Sequence, residues 1–266
     1  MRFAFSTLGV PGLPVGQVAR LAADNGFHGV ELRAAEGEEP VHTGLDAAGR
    51  REVAATFRAA GVEILGIASY LEVAAPGPDD PVLDGLRAHV ALAADLAAPF
   101  VRVFPGGGGT PPEQADAVAA RRLAAVAPYA AERGVRLLLE THDSHRTGAD
   151  AARVLGLVGH RAVGALWDVL HTWLGGEEPS ATYPVLAPHL GYVQVKDVAS
   201  AEESAPLPLG QGVLPLAECV EVLSRADWDG WLCWEYEKRW YPRAPELAGL
   251  LRAGREHLAR LLAGSA

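Results

Sequence analysis

Short runs of aliphatic, β-branched and aromatic residues alternate with longer Ala/Leu/Arg stretches of helical periodicity, from one end of the chain to the other. Eight runs predict strands: 2–7 (RFAFST), 29–33 (GVELR), 63–69 (EILGIAS), 100–105 (FVRVFP), 136–142 (RLLLETH), 163–168 (VGALWD), 191–197 (GYVQVKD) and 230–237 (GWLCWEYE). Helices are expected near 15–26, 45–60, 81–97, 113–133, 148–158, 180–188, 215–225 and 245–262. Gly26, Gly61, Pro81, Gly134 and Pro215 punctuate the joins. Strand–helix alternation implies parallel strands joined by helical crossovers. Eight such units in 266 residues match a (β/α)8 TIM barrel. An open doubly wound sheet would place a glycine fingerprint after the first strand, and STLGVPG is not GxGxxG. No linker-like shift in composition breaks the chain, so 1–266 reads as one domain. The sixth crossover has the poorest pattern, because Pro179, Pro184 and Pro188 crowd its helix.

In such a barrel, chemistry lies at the C-terminal ends of the strands. Residues two apart share a face, so the last inward positions can be read off directly. Strand five offers Leu138, Glu140 and His142; strand six Gly164, Leu166 and Asp168, with His171 one loop turn later. Strand seven offers Tyr192, Gln194 and Lys196, strand eight Cys233, Glu235 and Glu237, and strand two Glu31 and Arg33. Glu140, Asp168, Gln194 and Glu235 thus end four consecutive strands, each behind apolar residues. Carboxylates in a barrel mouth are costly unless paired or metal-bound. A divalent cation is the simplest remedy for several that converge. The alternative is structural ion pairing, with Arg102 on strand four as the available partner.

Composition narrows the partners. The chain is 49% hydrophobic and 21% charged, ordinary for a globular protein. Its net charge of −10, with no basic run, opposes nucleic acid and anionic membrane as partners. There is no stretch of 18 apolar residues, and MRFAFSTLGV lacks a signal-peptide core. Two cysteines, Cys219 and Cys233, are too few for a disulfide scaffold, so a reducing cytoplasm is the expected location. Only Lys196 and Lys238 are lysines; the remaining basic residues are arginines. Keeping a lysine at a strand end suggests a need for a compact, movable ammonium there.

At these residues the chain resembles the xylose-isomerase-like TIM barrels grouped as sugar phosphate isomerases/epimerases. That family includes inosose isomerases and dehydratases, ketose 3-epimerases and 3-dehydroshikimate dehydratases. The resemblance spans the whole chain: FSTLG, GVEL, LLLETH, WDVLH, VQVKD and WEYE in order, with GQG at 210–212 after strand seven. It implies a metal site whose ligands fall on Glu140, Asp168, Gln194 and Glu235. Gln194 departs from the histidine usual there, giving an all-oxygen set that favours Mn²⁺ or Mg²⁺ over Co²⁺ or Zn²⁺. The resemblance also implies proton abstraction next to a carbonyl of a polyol or keto-sugar, with Glu140 and Glu235 as the acid/base pair. His142, His171, Lys196, Arg102 and Glu31 would bind substrate. Epimerisation, isomerisation and dehydration share one intermediate, so these residues do not choose among them.

Other features carry less. Gly106–Gly109 lacks the Lys-Ser/Thr of a P-loop and reads as a mobile mouth loop. GQG reads as a tight turn, with anion binding as the alternative. Cys233 points inward as buried filler. Trp240 and Tyr241, past strand eight, suit a lid or a subunit contact, and a homo-oligomer stays open. Substrate choice is expected to lie in loops 34–44, 71–80, 106–112 and 198–209. Two rivals remain. An apurinic endonuclease would need extra histidines at strands three and four, where IASYLEV and VFPGGGG stand. A non-catalytic sugar-binding barrel is motivated by Gln194.

Overall fold

Strand Gly29–Arg33 (β2) is buried at every residue, as a parallel strand covered on both faces must be. The same holds for Val163–Asp168 (β6) and Trp231–Trp234 (β8). With Arg2–Ser6 (β1), Glu63–Glu72 (β3), Phe100–Phe104 (β4), Arg136–Glu140 (β5) and Leu190–Val195 (β7) they close into an all-parallel barrel ordered β1 to β8. The computed structural model describes residues 1–35 and 37–265, so the loop at 34–44 is described apart from Glu36.

Every expected helix forms: Val15–Asp24 (α1), Ala47–Ala60 (α2), Asp79–Asp95 (α3), Pro112–Glu132 (α4), Gly148–Val158 (α5), Pro179–Leu186 (α7), Leu216–Arg225 (α8) and Leu251–Gly264 (α9). Local chemistry sets their ends. Asp46 caps α2 by accepting the Gly49 N–H at 2.7 Å, and Gly61 closes it in the left-handed region at φ 68°. Thr147 and Asp150 cap one another's backbone at the start of α5. The crowded sixth crossover holds because Pro179 takes the first turn, where no N–H is needed, and α7 ends two residues past Pro184. That crossover also contains a helix absent from the expected set, Val169–Leu174 (α6).

The main core lies between barrel and helices, with Val101, Leu137, Trp167 and Val193 facing Leu123, Leu155 and Val220. A separate cluster fills the lumen: Ala4, Leu65, Leu138, Leu166, Tyr192, Trp231 and Cys233. The lumen is therefore packed, and only its C-terminal end is polar. No helix among the described residues is long and apolar enough to cross a membrane.

Candidate active site

Leu138, Leu166, Tyr192 and Cys233 occupy the lumen. Strand alternation then turns Glu140, Asp168, Gln194 and Glu235 toward the mouth. Neighbouring strands hold them in register, with Asp168 opposite Gln194 and Gln194 opposite Cys233. All four are buried. Three strands end earlier than their apolar patterns suggest. His142, Lys196, Glu235 and Glu237 therefore stand just beyond β5, β7 and β8 rather than on them.

Gln194 sits between two acceptors. Its Nε2 donates to Glu31 Oε2 at 3.0 Å and to Glu235 Oε1 at 3.0 Å. Ionised carboxylates only accept, so the amide must present its NH₂ to them. Its buried Oε1 has no hydrogen-bond partner among the described residues. Glu31 lies fully buried and also accepts from the Tyr192 hydroxyl. Burial, helped by the charge of Glu235, pushes the Glu31 carboxyl above its usual range.

Two cations meet these acids. Arg102 Nε lies 3.2 Å from Glu140 Oε2, so the arginine named as an ion-pair partner is one. Its guanidinium also packs 4.0 Å from the Phe104 ring, and its Nη1 has no hydrogen-bond partner among the described residues. Burial nonetheless raises Glu140 to about 8, because desolvation outweighs the attraction of Arg102. Lys196 Nζ stands 2.8 Å from Asp168 Oδ2, against Glu235 Oε2, and 3.2 Å from Glu237 Oε1. Burial opposes its charge, yet Asp168, Glu235 and Glu237 together hold it well above the usual lysine range.

His171 lies on α6, not in a loop, and Asp168 caps that helix by accepting the Leu170 N–H at 2.9 Å. Its ring packs against that of His142, with centroids 3.8 Å apart. Burial, reinforced by His142 and Lys196, drives His171 well below its usual pKa, leaving a neutral imidazole. His142 Nδ1 lies 2.8 Å from Asp143 Oδ1; burial pulls against its charge, but Asp143 and Glu140 raise it overall. Glu140, His142 and His171 bring one ligand atom each within 4.8 Å of one another, and form the one such acid/histidine/cysteine set among the described residues. Glu140, Asp168 and Glu235 are not such a set, and the Lys196 ammonium touches both Asp168 and Glu235.

Three supports went unassigned in the sequence. Tyr192 orients Glu31, and Glu237 completes the cage around Lys196. The third is a chain in which Asp116 Oδ1 meets His145 Nε2 at 2.8 Å, His145 Nδ1 meets Ser144 Oγ at 2.9 Å, and Ser144 Oγ accepts the Gly107 N–H at 2.9 Å. It ties the Gly106–Gly109 loop to the segment bearing His142. In the GQG loop the Gly210 and Gly212 N–H groups donate to the buried Asp197 carboxylate at 2.9 and 3.0 Å. They are engaged internally, as a tight turn requires. At the rim, Tyr70 lies 5.4 Å from the Arg102 guanidinium, and the exposed Trp240 5.5 Å from that of Arg33. Burial keeps Cys233 a neutral thiol, consistent with filler.

Known proteins share this fold. The chain is 28% identical over 264 residues to a Streptomyces coelicolor protein named "Putative hydroxypyruvate isomerase", covering 90% of this chain and 91% of that one. It is 23% identical over 189 residues to a Bacillus anthracis 3-dehydroshikimate dehydratase, covering 70% of this chain and 67% of that one. The crystal structure of D-psicose 3-epimerase in the presence of D-fructose superposes with a TM-score of 0.84 at 14% identity, over 98% of this chain and 99% of that one. A sequence model described as xylose isomerase-like TIM barrel matches residues 19–261, most of the closed barrel described above, and the chain belongs to that family.

Proposed function

We propose that this protein is a divalent-metal-dependent isomerase or epimerase of a small polyol-type carbonyl compound, a keto-sugar or cyclitol, acting by proton abstraction next to the carbonyl. The observation that carries the reading is the buried convergence of Glu140, Asp168, Gln194 and Glu235 on one mouth, with the Gln194 carbonyl oxygen unpartnered. Glu31, Glu140, Asp168, Glu235 and Glu237 outnumber the fixed cations Arg102 and Lys196, and such an excess of buried acid suits a dication. Glu140, Asp168, Gln194 and Glu235 would hold it, an all-oxygen set suited to Mn²⁺ or Mg²⁺. When bound, the ion supplies Lewis-acid stabilisation of charge developing on the substrate oxygen.

The chain's own residues do the rest. Glu140, at the end of β5, and Glu235, just beyond β8, serve as the acid/base pair, one carboxylate taking the proton and the other returning it. A carboxyl raised to about 8 is well matched to exchanging a proton near neutral pH. The neutral His171 donates or accepts a hydrogen bond at a substrate hydroxyl. The raised His142 and the Lys196 ammonium favour oxyanion character beside it. Arg102 holds Glu140 in place, and its unpartnered Nη1 is available to a substrate oxygen.

Two finer readings compete. The Glu140–His142–His171 set would favour Zn²⁺ or Co²⁺ through its imidazoles. Dehydration, in which the same carbanion loses a β-hydroxyl, is favoured by the similarity to the 3-dehydroshikimate dehydratase. The test is turnover of keto-sugars, cyclitols and 3-dehydroshikimate by metal-loaded protein, with Glu140→Gln and Glu235→Gln as controls. Each variant is expected to lose at least 10²-fold in kcat. Wild-type-like turnover in either one rules out the acid/base assignment.

A further inference from the structure

The Lys196 ammonium occupies the space between two residues assigned above as metal ligands. It is 2.8 Å from Asp168 Oδ2 and in contact with Glu235 Oε2. A divalent ion bound to those oxygens would sit at about 2.0–2.2 Å from each. Such an ion would have to stand where Nζ stands or in direct contact with it. Two cations at that separation in a buried site repel strongly, so the ammonium and the ion cannot share these two carboxylates. The lysine stem is flexible and its head compact, so it can move without disturbing the backbone. Among the described residues one further carboxylate touches Nζ: Glu237 Oε1 at 3.2 Å. Exposure rises from Asp168, whose side chain is 0% accessible, to Glu237 at 21%, so Glu237 marks the outward direction.

We propose that Lys196 is a tethered cation that holds the divalent-metal position in the metal-free protein, and that on metal binding it swings outward onto Glu237. This rests on the metal reading given above. The lysine is then the chain's own competitor for the ion. It keeps Asp168 and Glu235 compensated when no metal is present, and its departure lets the carboxylates draw together. In the loaded protein the Lys196–Glu237 pair lines the substrate side of the mouth, so loading the ion and placing an ammonium against substrate become one event.

The experiment is Mn²⁺ titration of chelator-stripped full-length protein by calorimetry, with thermal unfolding recorded with and without Mn²⁺. The proteins are the wild type, Lys196→Met, Glu237→Gln and the double variant. Lys196→Met is expected to bind Mn²⁺ about 10- to 100-fold more tightly, the usual span for groups adjoining a metal's ligands. Its metal-free form should melt below the wild type, and saturating Mn²⁺ should close that gap. Glu237→Gln should weaken Mn²⁺ binding in the wild-type background and have no effect in the Lys196→Met background, because the carboxylate matters only as the lysine's destination. If Lys196→Met does not fold, Lys196→Gln keeps an N–H donor and should shift affinity the same way. Unchanged or weaker Mn²⁺ binding in the lysine variants overturns the inference while leaving the metal reading intact. An equal Glu237→Gln effect in both backgrounds overturns the relocation. No Mn²⁺ bound by any of these proteins overturns the metal reading and this inference together.

Discussion

Arg102, in the middle of β4, and Glu140, at the end of the neighbouring β5, stand 3.2 Å apart, each with a side chain only 2% exposed. Burial wins over the pairing, and Glu140 is raised to about 8. The folded state therefore binds more protons than the unfolded chain at pH values between the unfolded glutamate pKa, about 4.3, and about 8. The stability associated with protonated Glu140 is complete below the lower value and is lost as pH rises through the upper one. Urea midpoints of metal-free protein should fall across that window, by on the order of a few kcal/mol in all, and Glu140→Gln should flatten the slope. A wild-type slope in the variant would mean that another group carries it. Because a ligand must be ionised, Mn²⁺ affinity should rise over the same window.

Gln194 is where this chain departs from the ligand pattern of its resemblance, and its buried Oε1 has no hydrogen-bond partner among the described residues. Replacing it by histidine offers an imidazole at the same strand end. Gln194→His should tighten Co²⁺ and Zn²⁺ binding by about 10-fold or more relative to Mg²⁺. Calorimetry showing no change in Mn²⁺ or Co²⁺ affinity would remove Gln194 from the ligand set and favour the Glu140–His142–His171 alternative.

The Asp116–His145–Ser144–Gly107 chain holds two mouth loops together through hydrogen bonds of 2.8 to 2.9 Å. His145 is 1% exposed, so breaking the chain leaves buried polar atoms without partners. Asp116→Asn or His145→Phe should cost about 1–3 kcal/mol in urea unfolding. Faster hydrogen exchange at the Gly107 amide should accompany the loss. Stability falling with Gly107 protection unchanged would show that the chain does not anchor the glycine loop.

The architecture was written in local chemistry. Alternation of strand-like and helix-like patterns fixes eight parallel units, and side-chain parity turns Glu140, Asp168, Gln194 and Glu235 to one mouth. Those are properties of each segment read by itself. Helix α6 escaped because six residues are too short for a periodic signal. Its start depends on Asp168 acting as a cap as well as lining the mouth. The strand limits at β5, β7 and β8 were overrun because apolar runs continue past the point where a neighbouring strand is available for pairing.

What only the folded chain decides is who partners whom. Arg102 reaches Glu140, Lys196 settles among Asp168, Glu235 and Glu237, and Gln194 bridges Glu31 to Glu235 across gaps of 28 to 163 residues. Such pairings are set by the competition between desolvation and attraction among groups that barrel closure brings together. That competition has no local signature, because burial, and with it the strength of every charge, exists only after the strands have closed. The sequence determined that acids and an amide would line one end of a barrel; tertiary structure decided that a lysine would stand among them.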